Sequence, residues 1–166
     1  MKKAIATRLC TILTGLVVCF NAFSQDSSTI KSLPPVKITA SLRKIPNSIW
    51  KGFSTYFNDA ENPRWFRLNK DYLVKFMIYD EENRALFSKK GTLIYHISYG
   101  YEKSLPPDLL DQIKNNYREY EITRAIKITG SGRLVWIINL EDEKNIILLR
   151  MEDGEMEEAE RLKKTS

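Results

Sequence analysis

The sequence predicts an α+β fold made of two tandem repeats, each a helix followed by an antiparallel β-meander, with the helices packed on sheet. Three patterns lead to this prediction, and each occurs twice at an offset of roughly sixty residues. The patterns are a helical apolar face, an alternating strand and a polar turn. Their recurrence in the same order indicates an internal duplication within residues 46–162, with halves at 46–100 and 104–162. Because a single helix on a few strands buries little, we expect the halves to share one continuous structure.

A proline precedes each predicted helix, and apolar residues then recur at spacings that place them on one helical face. The first face follows Pro46 and consists of Ile49, Trp50, Phe53 and Phe57. The second follows Pro106 and consists of Leu109, Leu110, Ile113 and Tyr117. Since Trp50 and Leu110 occupy corresponding positions, we expect them to be buried to a similar extent.

Alternating apolar residues after each helix indicate strands with one buried side. The expected strands lie near residues 64–69, 72–79, 84–89, 92–99, 122–129, 133–141 and 144–151. Residues 155–162 contain helix-forming residues, but the repeat requires a strand there, and we favour the strand. Tyr72, Val74, Phe76 and Ile78 form the more continuous apolar side of the second strand, and we expect that side to face the helices.

The polar clusters at residues 80–83 and 142–145 are suited to reversals of the chain. Gly130-Ser131-Gly132 is interpreted as a further turn, before the strand that begins at Arg133.

Residues 1–24 are interpreted as a signal peptide, because basic Lys2, Lys3 and Arg8 accompany an apolar run that is short for a membrane span. Removing them lowers the formal charge from +5 to about +2 and takes away both cysteines. The remaining chain has no strong electrostatic reason to bind nucleic acid or to stay in a membrane. We expect a periplasmic or secreted protein, in which residues 25–45 form a tether or an edge segment.

The sequence offers little for catalysis. His96 is the single histidine and lies within a predicted strand, where we expect a hydrogen-bonded sheet residue. Asp80, Glu81 and Glu82 are interpreted as solvated turn charges, and the acidic run at 152–160 as a solvated edge. We therefore predict no catalytic residue, no cofactor, no metal site and no enzymatic activity. A carboxylate-based glycan-acting enzyme is an alternative, and it would require acidic side chains that converge in a pocket.

Aromatic side chains on the other side of the sheet point to a binding function. If Tyr72, Val74, Phe76 and Ile78 face the helices, the opposite side of the sheet carries partly apolar residues. The candidate binding residues are Met77, Tyr79, Tyr95 and Tyr99. Tyrosine and methionine exposed together suit a contact with a protein or peptide. The alternative is that most of them complete the core. We predict a noncatalytic binding module of the cell envelope.

Residues 46–162 resemble the PepSY-like family whose name refers to beta-lactamase inhibitory proteins. The resemblance rests on the helix from Trp50 to Phe57, Trp65 at the start of the strands, Leu105-Pro106 and the turn at Asp153-Gly154. It implies a secreted or periplasmic module of helices on antiparallel sheet, whose members mostly lack an assigned activity. It also raises an alternative function, that of an inhibitor or modulator of an envelope hydrolase, although no residues match an inhibitory loop.

Overall fold

Nine strands form one antiparallel sheet in a computed structural model that describes residues 38–42 and 44–165. Every strand pairs with the next one along the chain, so that the strand order is β1 to β9. The strands are β1 Ile38–Leu42, β2 Glu61–Leu68, β3 Asp71–Ile78, β4 Glu81–Phe87, β5 Leu93–Gly100, β6 Glu121–Gly130, β7 Arg133–Glu141, β8 Asn145–Glu152 and β9 Glu155–Lys163. The α-helices are α1 Asn47–Tyr56 and α2 Pro107–Asn116, and a 3-10 turn spans Glu102–Ser104.

The predicted fold class of two tandem helix-and-meander repeats is wrong. The sheet continues across the expected boundary, because β5 pairs with β6 over the whole stretch from Tyr95–Gly130 to Gly100–Ala125. Separate meanders would leave the facing N–H and C=O groups of β5 and β6 without partners, and the pairing satisfies them. The architecture is one long antiparallel meander that carries two ten-residue helices.

Both helices pack on the same face of this sheet, in two hydrophobic clusters. In the first, Ile49 and Phe53 of α1, with Phe57 directly after the helix, lie on apolar residues of β2, β3 and β4. In the second, Ile113 of α2 lies on apolar residues of β6, β7 and β8. The register places Ala85 and Ala125, one from each cluster, on the same side of the sheet. The expectation that Tyr72, Val74, Phe76 and Ile78 face α1 is confirmed.

The prediction that Trp50 and Leu110 are similarly buried is wrong. Trp50 is 45% exposed, whereas Leu110 is half-buried against the second cluster. Ile49 and Phe53, which are four positions apart, are the residues of α1 that point straight at the sheet. Trp50 is turned by about 100° around the helix from Ile49 and rests on the rim, with its ring 5.8 Å from that of Phe53.

The chain reverses between β3 and β4 one residue earlier than the polar cluster indicates. Tyr79 and Asp80 have φ angles of 46° and 64°, and β4 already begins at Glu81. The interpretation of Glu81 as a solvated turn charge is wrong, because its carboxylate accepts hydrogen bonds from the hydroxyls of Ser104 at 2.5 Å and Ser98 at 3.3 Å. These bonds tie β4 to β5 and to the connection between β5 and α2.

Three other expectations concern the turns and the ends of the sheet. The turn at residues 130–132 is confirmed, with φ of 53° at Ser131 and 76° at Gly132. Residues 155–163 form β9, so the strand expected at 155–162 is confirmed. The expected tether or edge segment, 25–45, contains β1, which pairs antiparallel with β2. The predicted signal peptide, 1–24, lies outside the described residues.

Candidate functional site

Neither described helix packs on the second face of the sheet, which we call the open face. Its side chains alternate along the strands with those under the helices. Its principal residues on β2 to β8 are Arg64, Phe66, Leu73, Lys75, Met77, Glu82, Arg84, Leu86, Tyr95, Ile97, Tyr99, Ile126, Ile128, Val135, Ile137, Arg150 and Glu152. The solvated face of an antiparallel sheet is usually polar, so this composition is unusual.

The middle of the open face is apolar across three strands. We call it the apolar strip, and it consists of Tyr95, Ile97, Tyr99, Ile126, Ile128, Val135 and Ile137. Tyr99 lies opposite Ile126, and Ile97 lies opposite Ile128. All seven side chains are partly exposed. A cleft of about 510 Å³ opens beside the strip, lined in part by Ile97, Ile128 and Arg133.

The fold brings together three of the four candidate binding residues. Met77 and Tyr99 lie on either side of Glu82 in one cross-strand row. Tyr95 is on the same side of β5, four positions from Tyr99, with Ile97 between them. Tyr79 stands apart, because it lies in the turn after β3 and is 81% exposed. A binding role for these four residues remains a prediction.

The aliphatic part of the strip was missed by sequence reasoning, which concentrated on the aromatic residues. A signal was present, because β7 contains Val135, Trp136, Ile137 and Ile138 without interruption. Only Trp136 and Ile138 of these face the helices. A strand that is apolar on both sides in a sheet with one covered face leaves the other side uncovered.

Positive charge borders the apolar strip on the side of β2 to β4. The Arg84 guanidinium lies 4.8 Å from the centre of the Tyr99 ring, and its Nε donates to Glu82 Oε1 at 2.8 Å. Burial lowers the pKa of Arg84, but the bond to Glu82 and the neighbouring Tyr99 outweigh burial and raise it. Burial, together with Tyr99, raises the pKa of Tyr95, so its hydroxyl stays neutral at physiological pH.

The histidine lies on the covered face. His96 Nε2 is 2.8 Å from the side-chain oxygen of Asn83, which is itself buried, and the His96 ring stacks on Phe76. Burial lowers the pKa of His96, and the nearby positive charge of Lys127 lowers it further. The expectation of a hydrogen-bonded sheet residue is confirmed.

Several acidic side chains that the glycan-hydrolysis alternative would draw on have structural partners. Glu82 is paired with Arg84, and Glu152 is paired with Arg133 and Arg150. The Asp142 carboxylate accepts the backbone N–H of Lys144 at 2.7 Å and of Asn145 at 2.5 Å. Burial raises the pKa of Asp142, but the Asn145 side chain and these N–H groups outweigh burial and bring it to about 2.

Among residues 38–42 and 44–165, no three histidine, cysteine or acidic side chains come together as a metal-binding group. Neither described helix has the length and apolar composition needed to cross a bilayer.

No protein-family model and no curated protein sequence matches this chain. Solved structures do match it in fold. A BLIP-like protein from Bacteroides fragilis superimposes with a TM-score of 0.57 and 12% identity, over 75% of this chain and 92% of that one. A DUF2874 family protein from Bacteroides uniformis gives 0.54 and 8%, over 72% and 90%.

A third structure comes from Bacteroides eggerthii, and its name assigns it provisionally to the periplasm. It superimposes with a TM-score of 0.54 and 10% identity, over 72% of this chain and 89% of that one. At these identities the likeness concerns the fold. The resemblance seen in the sequence is confirmed at that level, and the chain has a BLIP/PepSY-like fold.

Proposed function

We propose that this chain is an exported, noncatalytic binding module of the cell envelope that engages a protein or peptide through its open face. The observation that supports the proposal most directly is the apolar strip, whose side chains are partly exposed and lie beside charged residues. Apolar patches with polar rims are typical of protein-interaction surfaces. Burial of tyrosine and aliphatic side chains would supply the binding energy, and Met77 would add an adaptable contact.

The cellular location in this proposal rests on the sequence. Residues 1–24 have the features of a signal peptide, which predicts a periplasmic or secreted protein. The provisional periplasmic name of the Bacteroides eggerthii structure agrees with that prediction. The binding residues that we propose are Met77, Tyr95 and Tyr99 on the open face, with Tyr79 outside it.

Site-specific photo-crosslinking in intact cells tests the proposal. A benzophenone amino acid at position 97 stands in the middle of the apolar strip, and the same amino acid at Gln112 stands on the exposed side of α2. We expect irradiation to give a discrete adduct from position 97 and none from position 112. Tyr99→Ser with Ile128→Ser should remove the adduct from a chain that still melts cooperatively. An adduct from position 112 alone would refute binding through the open face.

Inhibition or modulation of an envelope hydrolase is a second candidate, favoured by the BLIP-like name of the Bacteroides fragilis structure. This is one form of protein binding, so the same face would carry it. Titration of the purified chain into β-lactamase and peptidoglycan hydrolase assays should then give a saturable loss of one activity. Tyr99→Ser should relieve that loss, whereas Lys51→Glu on the outer side of α1 should not. Hydrolase activities that stay constant at a saturating concentration of the chain would exclude this candidate function.

A further inference from the structure

Three cations lie directly opposite one another on adjacent strands of the open face. Arg64 on β2 pairs with Lys75 on β3, and Lys75 pairs with Arg84 on β4. We call these residues the cation ladder. Side chains directly opposite in antiparallel strands have Cβ atoms about 4.5–5.5 Å apart, and like charges in such pairs destabilise a sheet. The ladder therefore costs stability in the free protein, and a bound anion would relieve that cost.

Among residues 44–165, acidic side chains neutralise only one end of the ladder. Glu82 pairs with Arg84 at 2.7 Å. Among residues 44–165, neither Arg64 nor Lys75 forms an ion pair with an acidic side chain. All three cations line a cleft of about 690 Å³, together with Met77. The cleft thus presents two uncompensated positive charges beside one that is already paired.

The ladder continues directly into the apolar strip. The row that contains the three cations goes on through Ile97 on β5, Ile128 on β6 and Val135 on β7. A small anion or an anionic glycan would neutralise the cations but would leave these aliphatic side chains uncovered. An occupant that satisfies both parts of the row carries negative charge and apolar groups close together. A peptide segment with acidic and apolar side chains has this composition.

The distance between the cations and the aliphatic residues of this row sets the distance expected between the acidic and apolar groups of the ligand. Lys75 and Ile97 are two strands apart, a distance of about 10 Å, which an extended chain covers in about three residues. We infer that the open face takes a segment of a protein partner in which an aspartate or glutamate lies one to three residues from an aromatic or aliphatic side chain. The carboxylate binds Arg64 and Lys75, and the apolar side chain packs on Ile97 and Tyr99. This inference rests on the proposed function and names the chemistry of its partner.

A library of random twelve-residue peptides displayed on phage tests the inference with a defined probe. Selection is carried out on the native chain and on two variants that carry the same change in net charge. The ladder variant is Arg64→Glu with Lys75→Glu, and the control variant is Lys51→Glu with Lys90→Glu, on α1 and the β4–β5 turn. Circular dichroism melts establish that each variant is folded before selection.

The native chain and the control variant should enrich peptides that combine an acidic residue with a nearby apolar one. The ladder variant should bind these peptides at least about tenfold more weakly, a loss of about 1.4 kcal/mol, and should enrich basic peptides instead. Apolar peptides without acidic residues, bound equally by the ladder variant and weakened by Tyr99→Ser, would overturn the inference and leave the proposed function standing.

Three other outcomes would also be decisive. If no peptide is enriched, or if Tyr99→Ser leaves every enriched peptide unaffected, both the inference and the proposed function are overturned. A dimer in sedimentation velocity that the ladder variant dissociates would make a second copy of the chain the occupant, and would overturn the inference.

Discussion

Replacing Gly52 with alanine should destabilise the protein, although alanine is the better helix former. Gly52 lies on the side of α1 that meets the β4–β5 turn. A Cβ atom at this position would be 2.1 Å from the carbonyl oxygen of Gly91 and 3.0 Å from its carbonyl carbon. Both are backbone atoms, so no side-chain rotation relieves the collision. Ordinary contact begins near 3.4 Å, and α1 must therefore move away from the turn by about 1 Å.

The size of the effect follows from what that movement disturbs. Ile49 and Phe53, on either side of Gly52, are 0% and 3% exposed in the first cluster. Overpacking of a well-packed core costs about 1–3 kcal/mol. The higher helix propensity of alanine returns about 1 kcal/mol. We expect a net loss of up to about 2 kcal/mol in the free energy of unfolding.

Urea denaturation followed by circular dichroism measures this change. Ser54→Ala is the matched control, because Ser54 is on the exposed side of the same helix and its replacement brings the same helix-forming residue without a collision. Ser54→Ala should be neutral or slightly stabilising, by up to about 0.5 kcal/mol. If Gly52→Ala proves as stable as Ser54→Ala, the backbone contact between α1 and Gly91 is not as close as described, and the reasoning fails.

Three more predictions concern burial and pH. Phe53→Ala should cost about 3–5 kcal/mol in urea denaturation, whereas Trp50→Ala, at a 45% exposed position, should cost about 1 kcal/mol. The pKa of His96 is lowered from 6.5 in the folded protein, so as pH falls the unfolded chain binds a proton before the folded chain does. The melting temperature should therefore fall as pH drops below about 6.5. His96→Gln should make this fall smaller. Because the folded pKa of Asp142 is about 2, the contribution of Asp142 to the stability of the folded protein is present above pH 3.8 and is lost as pH falls towards 2. Asp142→Ala should lower the melting temperature at pH 7 and speed hydrogen exchange of the Asn145 amide.

Alternation of apolar and polar residues located the strands because most of them have one dry and one wet side. In β3, Val74 and Phe76 alternate with Leu73 and Lys75, and the side with the stronger pattern is the one under α1. The same reasoning placed Ile49 and Phe53 in the core. It overestimated the burial of Trp50, because a ten-residue helix has a narrow buried stripe and residues beside that stripe reach only the rim.

Where both sides of a strand are apolar, the alternation pattern does not show which side is buried. In β7, Val135 and Ile137 are as hydrophobic as Trp136 and Ile138. Which pair is covered depends on the pairing of β5 with β6, since this register fixes the side on which both helices lie. The predicted fold class of two tandem helix-and-meander repeats was wrong at the same place, where β5 pairs with β6 in one continuous sheet. Pairing between strands that are distant in the chain cannot be predicted from the spacing of apolar residues within either strand.

The cation ladder also depends on the register between strands, and for that reason it could not be predicted from the sequence. Arg64, Lys75 and Arg84 stand well apart in the sequence, and each one alone is an ordinary surface cation. They become neighbours only through the registers of β2 with β3 and of β3 with β4. A residue list therefore shows the charges but not their alignment, and the alignment is what makes them a candidate site.

The β9 edge and the open face of this sheet differ in charge and polarity, and the difference bears on function. The outer strand β9 is nearly all exposed and carries closely spaced charges, among them Glu157, Glu158 and Arg161, which discourage another strand from adding to the edge. The apolar strip has no comparable protection, although β-branched residues such as Ile97, Ile128 and Val135 make it attractive to other apolar surfaces. A chain with charges at its edge and apolar residues on its open face hinders strand addition while leaving side-chain contacts available. We therefore favour the open face over the β9 edge as the location of the proposed binding function.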